Sequence, residues 1–185
     1  TYINALLLHS LMLKDFSPRL YQQTIFATAA EKNTLIVLPT GLGKTYIFLM
    51  LAAQRLQQCK DKKILLLGPT RPLIAQYKQV FVDHLQIPKE DMAIFTGHVK
   101  PEKRQELWNT SKVIFSTPQG MENDIINRRV DLNDVALLGI DEAHRAVGNY
   151  PYVWIAQQYQ KIPSSRIIAM TASPGSDAEK IAMVC

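Results

Sequence analysis

The chain is 185 residues long, and its 47% hydrophobic and 20% charged content is that of a globular domain with one core, which excludes a disordered or fibrous chain. With 21 Lys and Arg against 16 Asp and Glu, the formal net charge is +5, compatible with a polyanionic partner without identifying one. The N-terminal apolar runs at 5–8 and 11–13 read as neither a membrane span nor a secretory leader, being split by His9-Ser10, followed by charge, and lacking a basic start or a cleavage site.

Short β-rich apolar runs alternate with amphipathic stretches whose apolar spacing is about 3.6 rather than 2. The first predicted strand, 34–38, leads through Pro39-Thr40-Gly41-Leu42-Gly43 into a predicted helix at 44–58 that begins Lys44-Thr45. A strand at 64–67 ends in Gly68-Pro69-Thr70-Arg71-Pro72 and precedes a helix at 72–84. A strand at 92–95 ends in Thr96-Gly97 before a helix at 102–109, and one at 113–116 ends in Thr117-Pro118-Gln119 before a helix at 119–127. The fifth strand, 135–140, delivers Asp141-Glu142-Ala143-His144 ahead of a helix at 152–160, and the sixth, 166–170, ends in Thr171-Ala172-Ser173. Near-continuous hydrophobic strands separated by helices predict an α/β fold with a doubly wound, mostly parallel sheet covered on both faces. Ligands in such folds sit beyond the carboxyl ends of the strands. Polar, turn-forming residues at all six predicted strand ends therefore mark one functional rim.

No linker or repeat interrupts the chain, which predicts a single domain over 1–185 with 1–14 as an N-terminal extension. It starts at Thr1 without an initiator Met and stops at Cys185 inside an expected helix, so it is read as a fragment of a longer protein. Cys59 and Cys185 offer neither a metal-ligand spacing nor a disulfide framework, which favours the cytoplasm, or the nucleus in a eukaryote.

The segment 35–45 carries the clearest chemistry. An apolar strand feeding a glycine turn and then Lys-Thr at a helix start builds a triphosphate cradle. The backbone N–H groups of Thr40, Gly41, Leu42 and Gly43 face the phosphates, Lys44 reaches the β/γ-phosphates, and the Thr45 hydroxyl can ligate Mg²⁺. Gly41 and Gly43 are expected at positive φ. The strict eight-residue pattern wants Gly where this chain has Leu38, although the Gly-x-Gly-Lys-Thr ending is intact. Two adjacent carboxylates arrive on the same rim. One is needed to hold Mg²⁺, largely through its water shell, and is assigned to Asp141; the other orients or deprotonates the attacking water and is assigned to Glu142.

Leu38 to Thr45, Pro69-Thr70-Arg71-Pro72-Leu73, Thr117-Pro118-Gln119, Asp141-Glu142-Ala143-His144 and Thr171-Ala172-Ser173 resemble motifs I, Ia, Ib, II and III of superfamily 2 DEAH-box helicases, in order. Arg19-Leu20-Tyr21-Gln22 resembles the adenine-reading motif of that superfamily. The run Asp141 to Tyr150, with its Gly-Asn-Tyr ending, and Thr171 to Ser176 are similar to the archaeal Hef and eukaryotic FANCM branch, which remodels forked and branched DNA. The resemblance implies a first RecA-like P-loop NTPase domain that uses ATP and Mg²⁺, with Gln22 hydrogen-bonding adenine and Arg19 stacking on it. It implies that His144, Thr171 and Ser173 couple the γ-phosphate site to the nucleic-acid site. A second RecA-like domain in the full-length protein is the implied partner, and the isolated chain is expected to be nearly inactive without it. Arg71 stands where the family has Lys, a change that keeps the charge and alters the geometry.

For the polynucleotide, Arg71, Thr96, Gly97, Thr117 and Gln119 are expected to grip backbone phosphates without reading bases. Lys60 to Lys63 is read as a solvated turn, while Lys100 to Arg104 and Arg128-Arg129 are more often plain surface than DNA contacts. His9, His84 and His98 are read as surface or packing residues, and Trp108 and Trp154 as core. Two rival readings are an RNA-directed superfamily 2 ATPase similar to RNA sensors, and a P-loop switch or assembly ATPase acting on a protein partner.

Overall fold

A computed structural model describes residues 12–14, 17–148 and 150–172. In chain order its elements are α1 (Leu20–Glu31), β1 (Thr34–Val37), α2 (Lys44–Gln58), β2 (Lys63–Leu67), α3 (Arg71–His84), β3 (Met92–Phe95), α4 (Pro101–Thr110), β4 (Val113–Ser116), α5 (Pro118–Ile126), β5 (Val135–Ile140), α6 (Pro151–Gln160) and β6 (Ile167–Thr171). The strands form one sheet in the order β1-β6-β5-β2-β4-β3, and every neighbouring pair is parallel.

The two-faced sheet follows from strands that are apolar at both parities. Ile64 and Leu66 of β2 pack with α1, α2 and α3, while Leu65 and Leu67 pack with α4, α5 and α6, giving helix, sheet and helix layers. Helix α2 lies deepest: Ile47 to Ala53 are all buried along two consecutive turns. It can approach the sheet this closely because β5 carries Gly139, where an added Cβ would stand 2.4 Å from the Phe48 ring. Truncating a ring packed like that of Phe48 to Ala costs about 3–5 kcal/mol.

Four helices carry proline within their first two positions, at Pro72, Pro101, Pro118 and Pro151, because a ring-locked φ suits the first turn and the missing N–H has no intrahelical partner there. They start at Arg71, Pro101, Pro118 and Pro151, one residue earlier than their apolar spacing predicts. Helix α1 has no predicted counterpart. Its buried face consists of Gln22, Phe26 and Ala29, so neither end of the stripe is strongly apolar. β6 runs one residue further than expected, to Thr171, whose carbonyl accepts the Leu38 N–H and so extends the β1 ladder into the phosphate loop. Among the described residues no helix is long and apolar enough to cross a membrane.

Candidate nucleotide and nucleic-acid sites

Strands β1, β6 and β5 are adjacent, so the loops that leave them meet at one half of the rim. After β1 the chain turns at Gly41 (φ 85°) and Gly43 (φ 77°), both left-handed as their sequence positions demand. Gly43 caps α2, directing the unpaired N–H groups of the first helical turn into the loop. A Cβ at Gly43 would stand 2.5 Å from Gln22 Nε2, so the glycine also makes room for the segment before it. Lys44 donates from Nζ to the Leu38 carbonyl at 2.8 Å, which holds the ammonium over its own loop.

Asp141 follows β5 and is positioned by its N–H, which donates to the Leu67 carbonyl at 2.9 Å. It is only 7% exposed. Burial, followed by the neighbouring Glu142 charge, pushes its carboxyl up from 3.8 to about 6, against the pull of the Glu142 N–H and the Lys44 ammonium. The Tyr77 hydroxyl from α3 donates to its Oδ2. Glu142 adopts φ 53°, ψ 45°, a left-handed conformation that costs a non-glycine residue about 1 kcal/mol or more. That turn brings Glu142 Oε2 to 3.3 Å from His144 Nδ1, which also lies 3.1 Å from Thr171 Oγ1. Ser173 lies outside the described residues.

Thr40, Gly41, Gly43, Lys44, Thr45, Asp141 and Glu142 line one cavity of about 290 Å³, together with Gln76 and Tyr77 of α3. The half-buried Thr45 hydroxyl and the Asp141 carboxylate are hard oxygen donors on one cavity with the Glu142 carboxylate, a set that fits a divalent cation such as Mg²⁺, which takes few protein ligands and keeps its water. Across the loop a second cavity of about 290 Å³ is lined by Arg19, Tyr21, Gln22, Leu42 and His84, and shares Gly41, Gly43 and Tyr46 with the first. Gln22 is 6% exposed; its Oε1 accepts the Arg19 N–H at 2.9 Å and its Nε2 donates to the Leu42 and Gly43 carbonyls at 3.5 Å. Tyr21 donates its hydroxyl to Leu42 O at 2.7 Å, so two consecutive side chains of α1 bind the phosphate loop.

Two residues lining this second cavity were given no role by motif reading: Tyr46 and His84. His84, expected at the surface or in packing, borders the second cavity and stands edge-on to Tyr46 at 5.4 Å between ring centroids. Tyr46 directly follows Lys44-Thr45, where an aromatic reads as helix packing, and His84 arrives from the far end of α3, so a pattern of local spacing carries no signal for their meeting.

Strands β2, β4 and β3 form the other half of the sheet. Arg71 is exposed as the first residue of α3, Gln119 is exposed in the first turn of α5, and Thr117 caps that helix. Gly97 is exposed at the tip of a turn that closes when Thr96 O accepts the Val99 N–H at 3.0 Å. Thr96 itself is 7% exposed, while the next residue's backbone is open. Arg104 is not a surface residue; it is buried in an ion pair with Asp124, and Arg129 joins the same carboxylate at 3.5 Å. Lys63 is likewise more than a solvated turn residue: burial lowers its pKa, its ammonium donates to Ser111 O at 2.9 Å and it lies over the Trp108 ring. Trp108 is core and donates its indole N–H to Asp134, whereas Trp154 is half-buried against the same cluster.

The sequence model of the DEAD/DEAH box helicases matches residues 19–181. In structure the chain is similar to the crystal structure of the Pyrococcus furiosus Hef helicase domain, with 48% identity and a TM-score of 0.85 over 90% of this chain and 36% of that one. Among curated relatives, a Methanocaldococcus jannaschii protein bearing the name of an ATP-dependent RNA helicase is 41% identical over 93% of this chain and 22% of its own length. The ATP-dependent DNA helicase mph1 of Sclerotinia sclerotiorum is 38% identical over 88% of this chain and 13% of its own. The Fanconi anemia group M protein homolog of Mus musculus is 37% identical over 89% and 8%. The chain thus spans at most 22% of the length of these relatives. Its six-stranded parallel sheet carries the RecA-like fold, and the chain belongs to the DEAD/DEAH box helicase family.

Proposed function

We propose that this chain is the first RecA-like, ATP-binding domain of a DNA-dependent ATPase and helicase that remodels forked or branched DNA, acting with a second RecA-like domain in the cytoplasm, or in the nucleus of a eukaryote. The observation that carries this reading is the single cavity in which Lys44 and Thr45 of the phosphate loop face Asp141 and Glu142. The relatives named as DNA helicases and the Hef domain support the polynucleotide.

In this reading Arg19 and Gln22 hold the adenine beside Tyr46, and the N–H groups of residues 40–43 and the first turn of α2 hold the phosphates. Lys44 exchanges the Leu38 carbonyl for the β/γ-phosphate oxygens. Thr45 and Asp141 would hold Mg²⁺, which supplies charge neutralisation to the transferring phosphoryl group. Glu142 orients the attacking water and accepts its proton. His144 sits between Glu142 and Thr171, and with Ser173 it is assigned the coupling of hydrolysis to the nucleic-acid half. Arg71, Thr96, Gly97, Thr117 and Gln119 contact backbone phosphates there, Thr96 through its main chain.

Separate roles for the loop lysine and the strand-end glutamate give the test. Lys44→Ala should abolish tight ATP binding, whereas Glu142→Gln should bind ATP and fail to turn it over, measured by nucleotide titration and phosphate release. Normal hydrolysis by Glu142→Gln would sink the assignment. The Methanocaldococcus jannaschii relative's name motivates a second, RNA-directed reading. Binding to duplex RNA with no binding to forked DNA would favour it.

A further inference from the structure

Arg104 stands in the first turn of α4, directly after the turn that presents Gly97. Its guanidinium spends three donors on two separate elements. Nε and Nη2 fork onto Asp124 Oδ2 and Oδ1 of α5 at 2.5 and 2.7 Å, and Nη1 donates to the Val99 carbonyl at 2.5 Å. The Asp124 side chain is fully buried and that of Arg104 is 8% exposed. Val99 closes its turn on Thr96, and Asp124 lies on the helix that Thr117 caps and whose first turn holds Gln119. One buried side chain therefore ties the loop after β3 to the helix after β4.

A buried ion pair of this kind is weak evidence for stability, since well-packed apolar residues often replace one at no loss. What apolar residues cannot reproduce is the geometry, and neither can lysine, which lacks the planar fork. We propose that Arg104 is a positioning residue for polynucleotide binding, setting the spacing between the turn at residues 96–99 and the N-terminus of α5 so that neighbouring backbone phosphates meet both at once. The proposal rests on the assignment of those two loops to nucleic acid.

Because Gly97, Thr117 and Gln119 are neutral donors, loosening them should weaken binding without releasing fewer counterions. That separates a positioning role from direct phosphate contact. The variants are R104K, which keeps the charge and loses the fork, and R104M/D124L, which replaces the pair and leaves the net charge unchanged. Binding of a fluorescein-labelled forked DNA is titrated over a series of salt concentrations, beside ATP-analogue affinity and the urea midpoint.

Both variants should bind DNA roughly tenfold more weakly, the scale of ordering about one backbone residue. Their slope of log K against log salt and their nucleotide affinity should match the parent chain. For comparison, Arg71→Ala should lower that slope by about one. DNA affinity unchanged in both variants, with Arg71→Ala weakened, would overturn the tether alone. A slope reduced by about one in R104M/D124L would make Arg104 a phosphate ligand and overturn it too, as would nucleotide affinity falling in step with DNA affinity. DNA binding indifferent to Arg71→Ala would overturn the nucleic-acid reading of the rim, and the tether with it.

Discussion

Replacing Asp141 by Asn should make the metal-free protein more stable and the nucleotide-bound protein less so. The carboxyl is 7% exposed, and burial raises it from 3.8 to about 6. A carboxyl raised on folding stabilises the fold fully below pH 3.8, and the contribution is lost as pH rises through about 6. At pH 7.5 the ionised group is therefore a cost. A raise of this size is worth at most about 3 kcal/mol, and the Tyr77 hydroxyl, which donates to the carboxylate, reduces it to about 1–2 kcal/mol. Asn keeps an acceptor for that hydroxyl and removes the charge. Urea denaturation in chelator-treated buffer should show Asp141→Asn more stable than the parent by that amount at pH 7.5, and the gain should vanish near pH 4. With Mg²⁺ and an ATP analogue at 100 times its Kd, the parent should gain about 2.7 kcal/mol by mass action and the variant almost none, so the order reverses. An equal gain at pH 4 and pH 7.5, or no gain at either, would refute the burial argument.

Gly43→Ala places a Cβ 2.5 Å from Gln22 Nε2 at a residue with φ 77°, so it should cost about 1 kcal/mol of stability and weaken ATP binding more than that of inorganic triphosphate, read by calorimetric titration of both. Arg71→Ala should weaken DNA binding equally across sequences, and a base-specific effect in a panel of fork sequences would contradict its phosphate role. Steady-state ATPase with saturating forked DNA should rise by about 10³ or more when the chain is joined to the second RecA-like domain proposed above, because an arginine finger supplied from there is worth 10³–10⁵ in rate. Equal rates would mean that the catalytic arginine already lies within these residues.

The strands were legible because each is apolar at both parities and ends in turn-forming residues; even the shift of β6 to Thr171 moves its end by one position. The turn at Gly41 and Gly43 was legible for a different reason, since glycine spacing encodes a backbone path. Helix α1 was not, because Gln22 and Ala29 carry its buried stripe with only Phe26 to mark it. Nor was Arg104, whose pattern in Lys100 to Arg104 is that of a solvated face until the fold delivers Asp124 from 20 positions away. Tyr77 reaches Asp141 across 64 positions on the same principle. Motifs report chemistry that is local in sequence, and partners that only the tertiary fold brings together leave no local trace.

Among the described residues the strand that feeds the phosphate loop has a single neighbouring strand, and of the six described strands that neighbour is the last to be made. Among the described residues β1 pairs with β6 alone, from Thr34 against Ile168 to Val37 against Thr171, and Asn33 accepts the Ile167 N–H from 134 positions downstream. On a ribosome adding roughly 5–20 residues per second, β1 waits about 10 s for its partner. Until then the loop has neither the Thr171 carbonyl that extends its ladder nor the Asp141 site beside it. On the proposed function, nucleotide is held only once the sixth described strand is in place, so a nascent chain stalled before residue 167 should offer ATP no site at all.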